Sequence, residues 1–439
     1  MSLLGLTLAY LRQRPVAALL SGLLLALGVA TVVALLLFGA QMQDRLTRDA
    51  KGIELVVGAK GSPLQLVLSA VYHADIPTGN ILLKDAKPLL AHPQVRQAIP
   101  LALGDSVQGV RIVGTDHRYP AHYGATLADG KLWEAPFEAV LGATAASRLA
   151  LAVGDSFESV HGLVPGGPGH EEVYQVVGTL APTGTVVDRL ALTSIESVWA
   201  VHEEHDGAHE AGEEHAEHDR GEEHETHEHD EEHAEHEPDE EHEAHEHDEE
   251  EHAEHDEEER EITALLLAFK SPVAALTLPR AINQTTPMMA ASPAFESARL
   301  FALMGVGLDV LRGFGALLIV SAGLGVLVAM GNALERRQGD LALLRCLGAP
   351  RRWILGQLLL EGLLLTGAGL VLGLILGHGA VELLGRSLPQ ARDLGLTGAL
   401  FLWSELWLAL SALALGALAT LPAAWRAYRS DVARALALG

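Results

Sequence analysis

Cysteine is almost absent from this sequence, since Cys346 is the only one among 439 residues. A single thiol excludes a disulfide framework and any zinc site built from cysteines. The phosphate loop Gly-x-x-x-x-Gly-Lys-Ser/Thr and the nucleophile elbow Gly-x-Ser-x-Gly are both missing, and the regions expected to fold contain no His-Glu-x-x-His protease helix. We therefore expect no catalysis, and no cofactor bound for catalysis, from this chain alone.

Basic residues are also few relative to acidic ones. The chain has 30 Lys and Arg against 57 Asp and Glu, which gives a formal net charge of -27. The acidity is confined to residues 202–260, which contain 31 Asp and Glu against two Arg. The rest of the chain is close to neutral, at +2. The sequence therefore lacks the basic patch of a nucleic-acid-binding protein.

Apolar residues are abundant, at 49% of the chain with a mean hydropathy of +0.21. Four long runs carry almost no charge, and each approaches or exceeds the roughly 20 residues that cross a bilayer as a helix. The first could instead be read as a signal peptide, but its apolar core is too long for a cleaved leader, so we expect four transmembrane helices. The runs are Val16–Phe38, Gly313–Leu334, Trp353–Val381 and Leu406–Ala424.

Arginine is distributed unevenly around these runs. Arg12 and Arg14 precede the first run, a group of five lies between the second and third, and three follow the fourth. By the positive-inside rule, both termini and the second connection are predicted to be cytoplasmic. The large segment between the first two runs then lies outside.

The third run contains a glycine every four residues, at Gly369, Gly373 and Gly377. Such a face lets two membrane helices approach closely, although glycine scattered through a membrane helix would look similar. Either way, these residues are predicted to serve packing rather than chemistry.

The external segment reads as α+β. Short β-favouring runs at 53–57, 107–113 and 173–177 are bounded by glycine or proline turns. Residues 194–201 predict a short helix, and 262–269 an apolar strand. Because a strand resumes after residue 260, the acidic segment is predicted to interrupt one domain rather than to separate two.

The acidic segment also contains 15 of the 22 histidines. They recur as His-x-His and His-x-x-His, and neutral imidazole is a common ligand of zinc, copper and nickel. The composition predicts disorder, with which metal binding is compatible; a spacer that supplies only charge is the alternative. The candidate ligands for Zn²⁺, Cu²⁺ or Ni²⁺ are His215, His218, His227, His229, His233, His236, His245, His247, His252 and His255.

A channel-type metal carrier with a histidine-rich loop is a different class of function. Such a carrier needs ligands buried at membrane depth. The spans offer Glu361 and His378, which lie on one helix roughly 25 Å apart at 1.5 Å per residue. Two groups at that distance do not form a transport site.

The connection between the second and third runs carries the most specific motif. Residues 335–352 read ERRQGDLALLRCLGAPRR, which resembles the E-R-R-x-E-I-x-x-L-R-A-L-G-A-x-R-x-x-I motif of MacB, FtsX and LolC/LolE-type permeases, the mechanotransmission ABC transporters. That resemblance implies a cytoplasmic coupling helix that docks on an ATPase. A basic loop with no partner is the alternative reading. The implied coupling residues are Glu335, Arg336, Arg337, Asp340, Leu344, Arg345, Leu347, Gly348, Ala349 and Arg351.

The resemblance extends over nearly the whole chain apart from the acidic segment. The tail at 422–436 and the approach at 8–15 are similar to the ends of these permeases, and 140–142, 149–155 and 176–178 are similar to the MacB-type periplasmic core. Residues 58–63 and 182–189 resemble a proteobacterial subgroup of stand-alone permeases with histidine-rich insertions, which we associate with metal homeostasis.

The family implies an α-helical membrane protein with four transmembrane helices and an α+β periplasmic, MacB-like domain between helices 1 and 2. It implies a homodimer in the bacterial inner membrane, driven by a separate ABC ATPase and acting on a periplasmic partner. The alternative is an FtsX-like signalling or scaffold protein that transports nothing. The expected divisions are 1–40 (helix and first span), 41–201 (domain, first part), 202–260 (insertion), 261–305 (domain, second part) and 306–439 (permease domain).

Overall fold

The computed structural model describes residues 3–12, 15–162, 169–201, 260–336, 338–388, 391–392 and 394–429. These residues divide into two compact units, 1–45 with 301–439 and 46–300. We call the first the membrane unit and the second the extramembrane domain.

Four helices in the described part of the chain are long and apolar enough to cross a membrane. Span 1 is Pro15–Asp49, span 2 is Pro293–Arg336, span 3 is Arg351–Ser387 and span 4 is Trp403–Arg429. Spans 1 and 2 continue well beyond their apolar runs, so each helix extends from the membrane unit into the residues of the extramembrane domain. A short helix, Leu3–Arg12, precedes span 1.

The extramembrane domain contains twelve strands among its described residues. A ten-stranded sheet has the order β12-β1-β11-β3-β4-β9-β6-β8-β5, with β7 pairing with both β3 and β8, and β10 pairs separately with β2. The strands are β1 Leu55–Ala59, β2 Ile81–Leu82, β3 Val95–Val107, β4 Val110–Gly114, β5 Leu127–Gly130, β6 Glu138–Leu141, β7 Ser156–His161, β8 Gly169–Leu180, β9 Ala191–Thr193, β10 Glu261–Ile262, β11 Ala264–Phe269 and β12 Met288–Ala291.

Part of this sheet closes on itself. β3 pairs with β4, β4 with β9, β9 with β6, β6 with β8, β8 with β7, and β7 again with β3. The result is a ring of six strands, in which apolar side chains such as Ile112, Leu141 and Val176 form one core. The open part of the sheet, β12-β1-β11, has a separate core against the helices Leu83–Leu90 and Pro272–Thr285.

Two of the expected strands differ in the structure. The run 107–113 is two strands, because Gln108 and Gly109 both have positive φ angles, of 47° and 76°, and this is the backbone of a tight hairpin turn. The run 262–269 is broken at Thr263, whose hydroxyl accepts a hydrogen bond from the Leu103 amide at 2.9 Å. The helix expected at 194–201 is present over 195–201.

The two ends of the histidine-rich insertion lie close together. The Trp199 indole donates a hydrogen bond to the Glu261 carbonyl at 2.6 Å, and the Arg260 guanidinium lies 4.9 Å from the centre of the Trp199 ring. Strand β11 continues the sheet beyond that point, so the described residues before and after the insertion belong to one compact unit.

Candidate functional site

The segment between spans 2 and 3 forms a short helix, Gln338–Cys346, which we call the coupling helix. Gly348 ends it with a φ of 97°. The Ala349 amide donates to the Leu344 carbonyl and the Gly348 amide to the Arg345 carbonyl, both at 3.0 Å. This is a Schellman cap, which requires a residue that tolerates the left-handed region.

Pro350 completes the turn and Arg351 begins span 3. Proline is common just after such a cap because it cannot continue the preceding helix. The cap and the turn therefore explain why the sequence Leu-Gly-Ala-Pro occurs at 347–350. It fixes the angle at which the coupling helix leaves the membrane helices.

One side of the coupling helix is anchored and another is exposed. Leu344 packs against a cluster that contains Leu334, Ile354 and Ala424 from spans 2, 3 and 4. Leu343 and Leu347 are 57% and 85% exposed. Leu343, on the coupling helix, and Leu347, in the turn just after it, form a small apolar surface, and such a surface suits a protein partner.

The other predicted coupling residues are distributed around this helix. Glu335 is exposed at the end of span 2, Arg336 is the last residue of that span, and Arg351 is exposed at the start of span 3, 5.9 Å from the centre of the Tyr428 ring. Arg337 lies outside the described residues. Asp340 lies within the coupling helix.

The predicted glycine face contacts span 1. A Cβ atom added to Gly369 would lie 3.0 Å from the Gly22 carbonyl oxygen, and one added to Gly373 or Gly377 would lie 2.8 or 3.0 Å from the carbonyl oxygens of Ala26 or Ala30. The carbonyl partners repeat every four residues, as the glycines do. Spans 1 and 3 therefore contact each other through backbone atoms over three successive turns.

Span 1 also contacts span 2 closely, through Gly28 and Gly315. A Cβ on Gly28 would lie 2.9 Å from the Ile319 side chain, and one on Gly315 would lie 2.5 Å from that of Val32. Span 1 is thus packed tightly against both of the helices that the coupling helix connects.

Span 3 is linked to span 4 by a histidine–carboxylate hydrogen bond. The Nε2 atom of His378 lies 3.0 Å from Oε2 of the buried Glu405, and its Nδ1 atom lies 2.6 Å from the Gly398 carbonyl oxygen. From the sequence, His378 is considered only together with Glu361 on the same helix. Its hydrogen-bond partner in the structure, Glu405, lies 27 residues further along the chain on span 4.

In the extramembrane domain, Tyr72 connects the ends of spans 1 and 2. Its hydroxyl lies 2.5 Å from the Ser297 hydroxyl and 3.4 Å from the Leu46 carbonyl oxygen, to which it donates. Burial is the largest cause that raises the pKa of Tyr72, and the charge of Asp49 adds to it. The phenol is therefore neutral at physiological pH and available for both hydrogen bonds.

Asp49, at the end of span 1, is buried and fixed to the same domain. Its carboxylate lies 3.1 Å from the Arg189 guanidinium, and its carbonyl accepts a hydrogen bond from the Tyr123 hydroxyl at 2.8 Å. We call Tyr72, Asp49, Tyr123, Arg189 and Ser297 the stalk anchor. No sequence pattern points to it, because its members come from five separate segments with no common motif.

Near the stalk anchor, Nε2 of His73 lies 2.8 Å from the Tyr119 hydroxyl. Burial lowers the pKa of His73 well below 6.5, and the positive charges of Arg111 and Arg189 lower it further. His73 is therefore neutral at pH 7. The ten histidines predicted as metal ligands, from His215 to His255, all lie outside the described residues.

Comparison with known proteins gives matches to two family models. An FtsX-like permease C-terminal model matches residues 312–432, and a MacB-like periplasmic core domain model matches residues 18–210. The first range contains the coupling helix and spans 3 and 4, and the second contains the stalk anchor except Ser297. No match was found among curated proteins.

Two solved structures are similar to parts of the chain. The periplasmic region of MacB from Actinobacillus actinomycetemcomitans is 11% identical, with a TM-score of 0.31, covering 57% of this chain and 95% of that one. The extracellular domain of the noncanonic ABC-type transporter YknZ from Gram-positive bacteria is 10% identical, with a TM-score of 0.29, covering 55% of this chain and 98% of that one.

Proposed function

Because the chain belongs to the MacB/FtsX-type ABC transporter permeases, we propose that it is the membrane subunit through which a separate ATPase moves the extramembrane domain. The chain is a multi-pass membrane protein of a family whose membrane subunits are typically not enzymes themselves. ATP hydrolysis would take place in the partner, and the four spans would convert it into movement.

The coupling helix is the observation that carries this proposal. Its Schellman cap and the packing of Leu344 attach it firmly to spans 2, 3 and 4, so a push on it reaches the spans rather than bending a loop. Leu343 and Leu347 are exposed where a partner can contact them. The movement produced when an ATPase dimer closes would act on the membrane subunit at this point.

The route beyond the coupling helix follows the observed contacts. Span 1 packs against spans 2 and 3 through glycines, and spans 1 and 2 end in residues that Tyr72 joins. Movement of these two helices would therefore reach the domain through the stalk anchor. We place both termini and the coupling helix in the cytoplasm of a bacterial inner membrane, following the arginine distribution, with the chain acting as a homodimer.

We further propose that the protein takes part in handling zinc or another transition metal in the periplasm. The support is the histidine content of the insertion, where imidazoles recur at spacings that suit such metals. The extramembrane domain would then act on a periplasmic metal carrier or partner rather than pass substrate between the spans. Deleting the insertion should cause a growth defect under chelation or metal excess, and normal growth under both would count against this role.

Co-purification tests the coupling role. The tagged chain is isolated from its native membranes in mild detergent and the recovered proteins are identified by mass spectrometry. Leu347→Asp is compared with Leu276→Asp, because Leu276 is a leucine of similar exposure, 75%, in the extramembrane domain. We expect a Walker-type ATPase with the unmodified chain and with Leu276→Asp but not with Leu347→Asp.

Burying one leucine side chain contributes about 1.5–3 kcal/mol, so losing it and adding a charge should weaken docking by at least 10-fold. Recovery of no ATPase from the unmodified chain would refute the proposal. So would equal recovery with both variants.

A further inference from the structure

Three side chains capable of binding a metal meet in the extramembrane domain, away from the insertion. Nδ1 of His161 lies 3.5 Å from Oδ1 of Asp105, and Nε2 of His170 lies 3.3 Å from the same oxygen. All three ligand atoms lie within 4.8 Å of one another. Asp105 and His170 are buried, whereas the His161 side chain is 57% exposed.

Strand pairing brings these residues together. β7 lies between β3 and β8, and Asp105 of β3 is directly opposite His161 of β7. The chain after His161 is fixed to β3, because the Gly162 amide donates to the Gly104 carbonyl at 2.8 Å and the Ser106 hydroxyl donates to the Gly162 carbonyl at 2.5 Å. The three ligands therefore come from three neighbouring strands of the closed ring.

Irregular pairing marks the same place. The register of β3 against β4 shifts between Leu103 and Ser106, beside Asp105, and that of β7 against β8 shifts between Glu158 and Val160, beside His161. Bulges re-aim side chains and are frequent next to functional sites. Two such register shifts flank this cluster, as expected where side chains are aimed at a common point.

The two Asp–His separations are compatible with a bound ion. Zinc bonds to imidazole nitrogen and carboxylate oxygen are about 2.0–2.2 Å long, which places neighbouring ligands of a tetrahedron about 3.3–3.5 Å apart. The two N···O distances, 3.5 Å and 3.3 Å, lie in that range. Two nitrogens and one oxygen form a ligand set for zinc or a similar transition metal rather than for calcium or magnesium, which prefer oxygen ligands.

Strands β7 and β8 also carry two buried hydroxyl groups. Ser159 of β7 and Tyr174 of β8 are fully buried, and no described residue hydrogen-bonds to either hydroxyl. Buried hydroxyls of this kind are usually satisfied by ordered water. Three protein ligands and one water are the arrangement of an open zinc site.

We propose that Asp105, His161 and His170 bind one divalent transition-metal ion, preferentially zinc, at the rim of the six-stranded ring. The site needs neither the insertion nor an ATPase, so it stands or falls independently of the proposed function. A bound ion would link β3, β7 and β8 and make the conformation of the ring responsive to the metal. The competing reading is a pair of Asp–His hydrogen bonds that takes no metal.

The test uses the full chain in detergent, with residues 202–260 replaced by a short Gly-Ser linker. The replacement removes the histidines of the insertion, which would otherwise bind zinc as well. Zinc affinity is measured by competition with a chromophoric chelator, and the thermal midpoint is measured with and without zinc. His161→Ala is the main variant, because an exposed side chain can be removed with little risk to folding. His117→Ala is the control, since His117 is an exposed histidine of the same domain.

We expect one zinc per chain, a midpoint that rises with zinc, and both effects retained in His117→Ala. His161→Ala should weaken binding at least 10-fold and abolish the shift in midpoint, and Asp105→Asn should do the same. The absence of saturable binding in the linker protein would overturn the proposal. Equal affinity in His161→Ala and His117→Ala would overturn it as well.

Discussion

Alanine substitutions at two glycines of span 3 should have opposite effects on the stability of the membrane unit. A Cβ added to Gly373 would lie 2.7 Å from the Cβ of Val29 and 2.8 Å from the carbonyl oxygen of Ala26. Neither atom can rotate away, since one is fixed by its own backbone and the other belongs to the backbone. A Cβ added to Gly367 meets no atom within 4 Å, which makes Gly367→Ala the matched control.

The magnitude follows from these distances. Ordinary contacts begin at 3.4 Å, so Gly373→Ala must separate spans 1 and 3 locally by about 0.7 Å. Overpacking of this size costs about 1–3 kcal/mol. Both substitutions gain up to about 1 kcal/mol of helix propensity, so Gly367→Ala should be neutral or stabilising and Gly373→Ala should lose about 1–2 kcal/mol.

The assay can use the single cysteine. Cys346 is exposed at the end of the coupling helix, so a fluorophore attached there reports on the membrane unit alone. Thermal unfolding of the labelled chain, at one fixed detergent concentration, should show a lower midpoint only for Gly373→Ala. Equal midpoints for the two variants, or a lower one for Gly367→Ala, would refute the described packing of spans 1 and 3.

Three further predictions concern the other features. Gly348→Ala should destabilise the end of the coupling helix by about 1 kcal/mol, because alanine is disfavoured at positive φ. Gly339→Ala should not, since Gly339 lies within the helix and a Cβ there would meet open space. Amide hydrogen exchange at 343–349 will distinguish the two variants. Tyr72→Phe removes two buried hydrogen bonds and should cost about 1–2 kcal/mol, seen as a lower thermal midpoint of the extramembrane domain and as weaker ATPase coupling in vesicles; an unchanged midpoint would contradict the stalk anchor. The folded-state pKa of His73 lies below its unfolded value of 6.5, so the unfolded chain binds more protons on acidification, and stability should fall as the pH drops from 6.5 towards the folded pKa. The variant His73→Asn should lose this part of the pH dependence in thermal unfolding, since asparagine tolerates the observed φ of 51°.

The sequence predicted the membrane unit more fully than the extramembrane domain. The four spans are long apolar runs, and a run of that length has few alternatives in water or lipid. The turn at Gln108 was missed because valines on both sides make 107–113 look like one strand. Gly348 was singled out by a resemblance, and only the positive φ explains why glycine is needed there.

Long-range clusters could not be predicted in the same way. Asp105, His161 and His170 share no local spacing and meet only because β7 pairs with both β3 and β8. The stalk anchor depends in the same way on the fold, since Tyr72, Asp49 and Arg189 come from separate segments. His378 was noticed as an ionisable group in a span, but its partner Glu405 could be identified only from the packing of spans 3 and 4.

The closed ring of six strands has a consequence for stiffness. An open sheet can twist or shear one strand at a time, but each strand of a ring is hydrogen-bonded on both sides, so deforming it requires several ladders to yield together. Of the two parts of the extramembrane domain, the ring is the less compliant, and it would pass on a displacement rather than absorb it. Any deformation would then collect in the open part, in which β1 is the first strand after span 1 and β12 is the last strand before span 2.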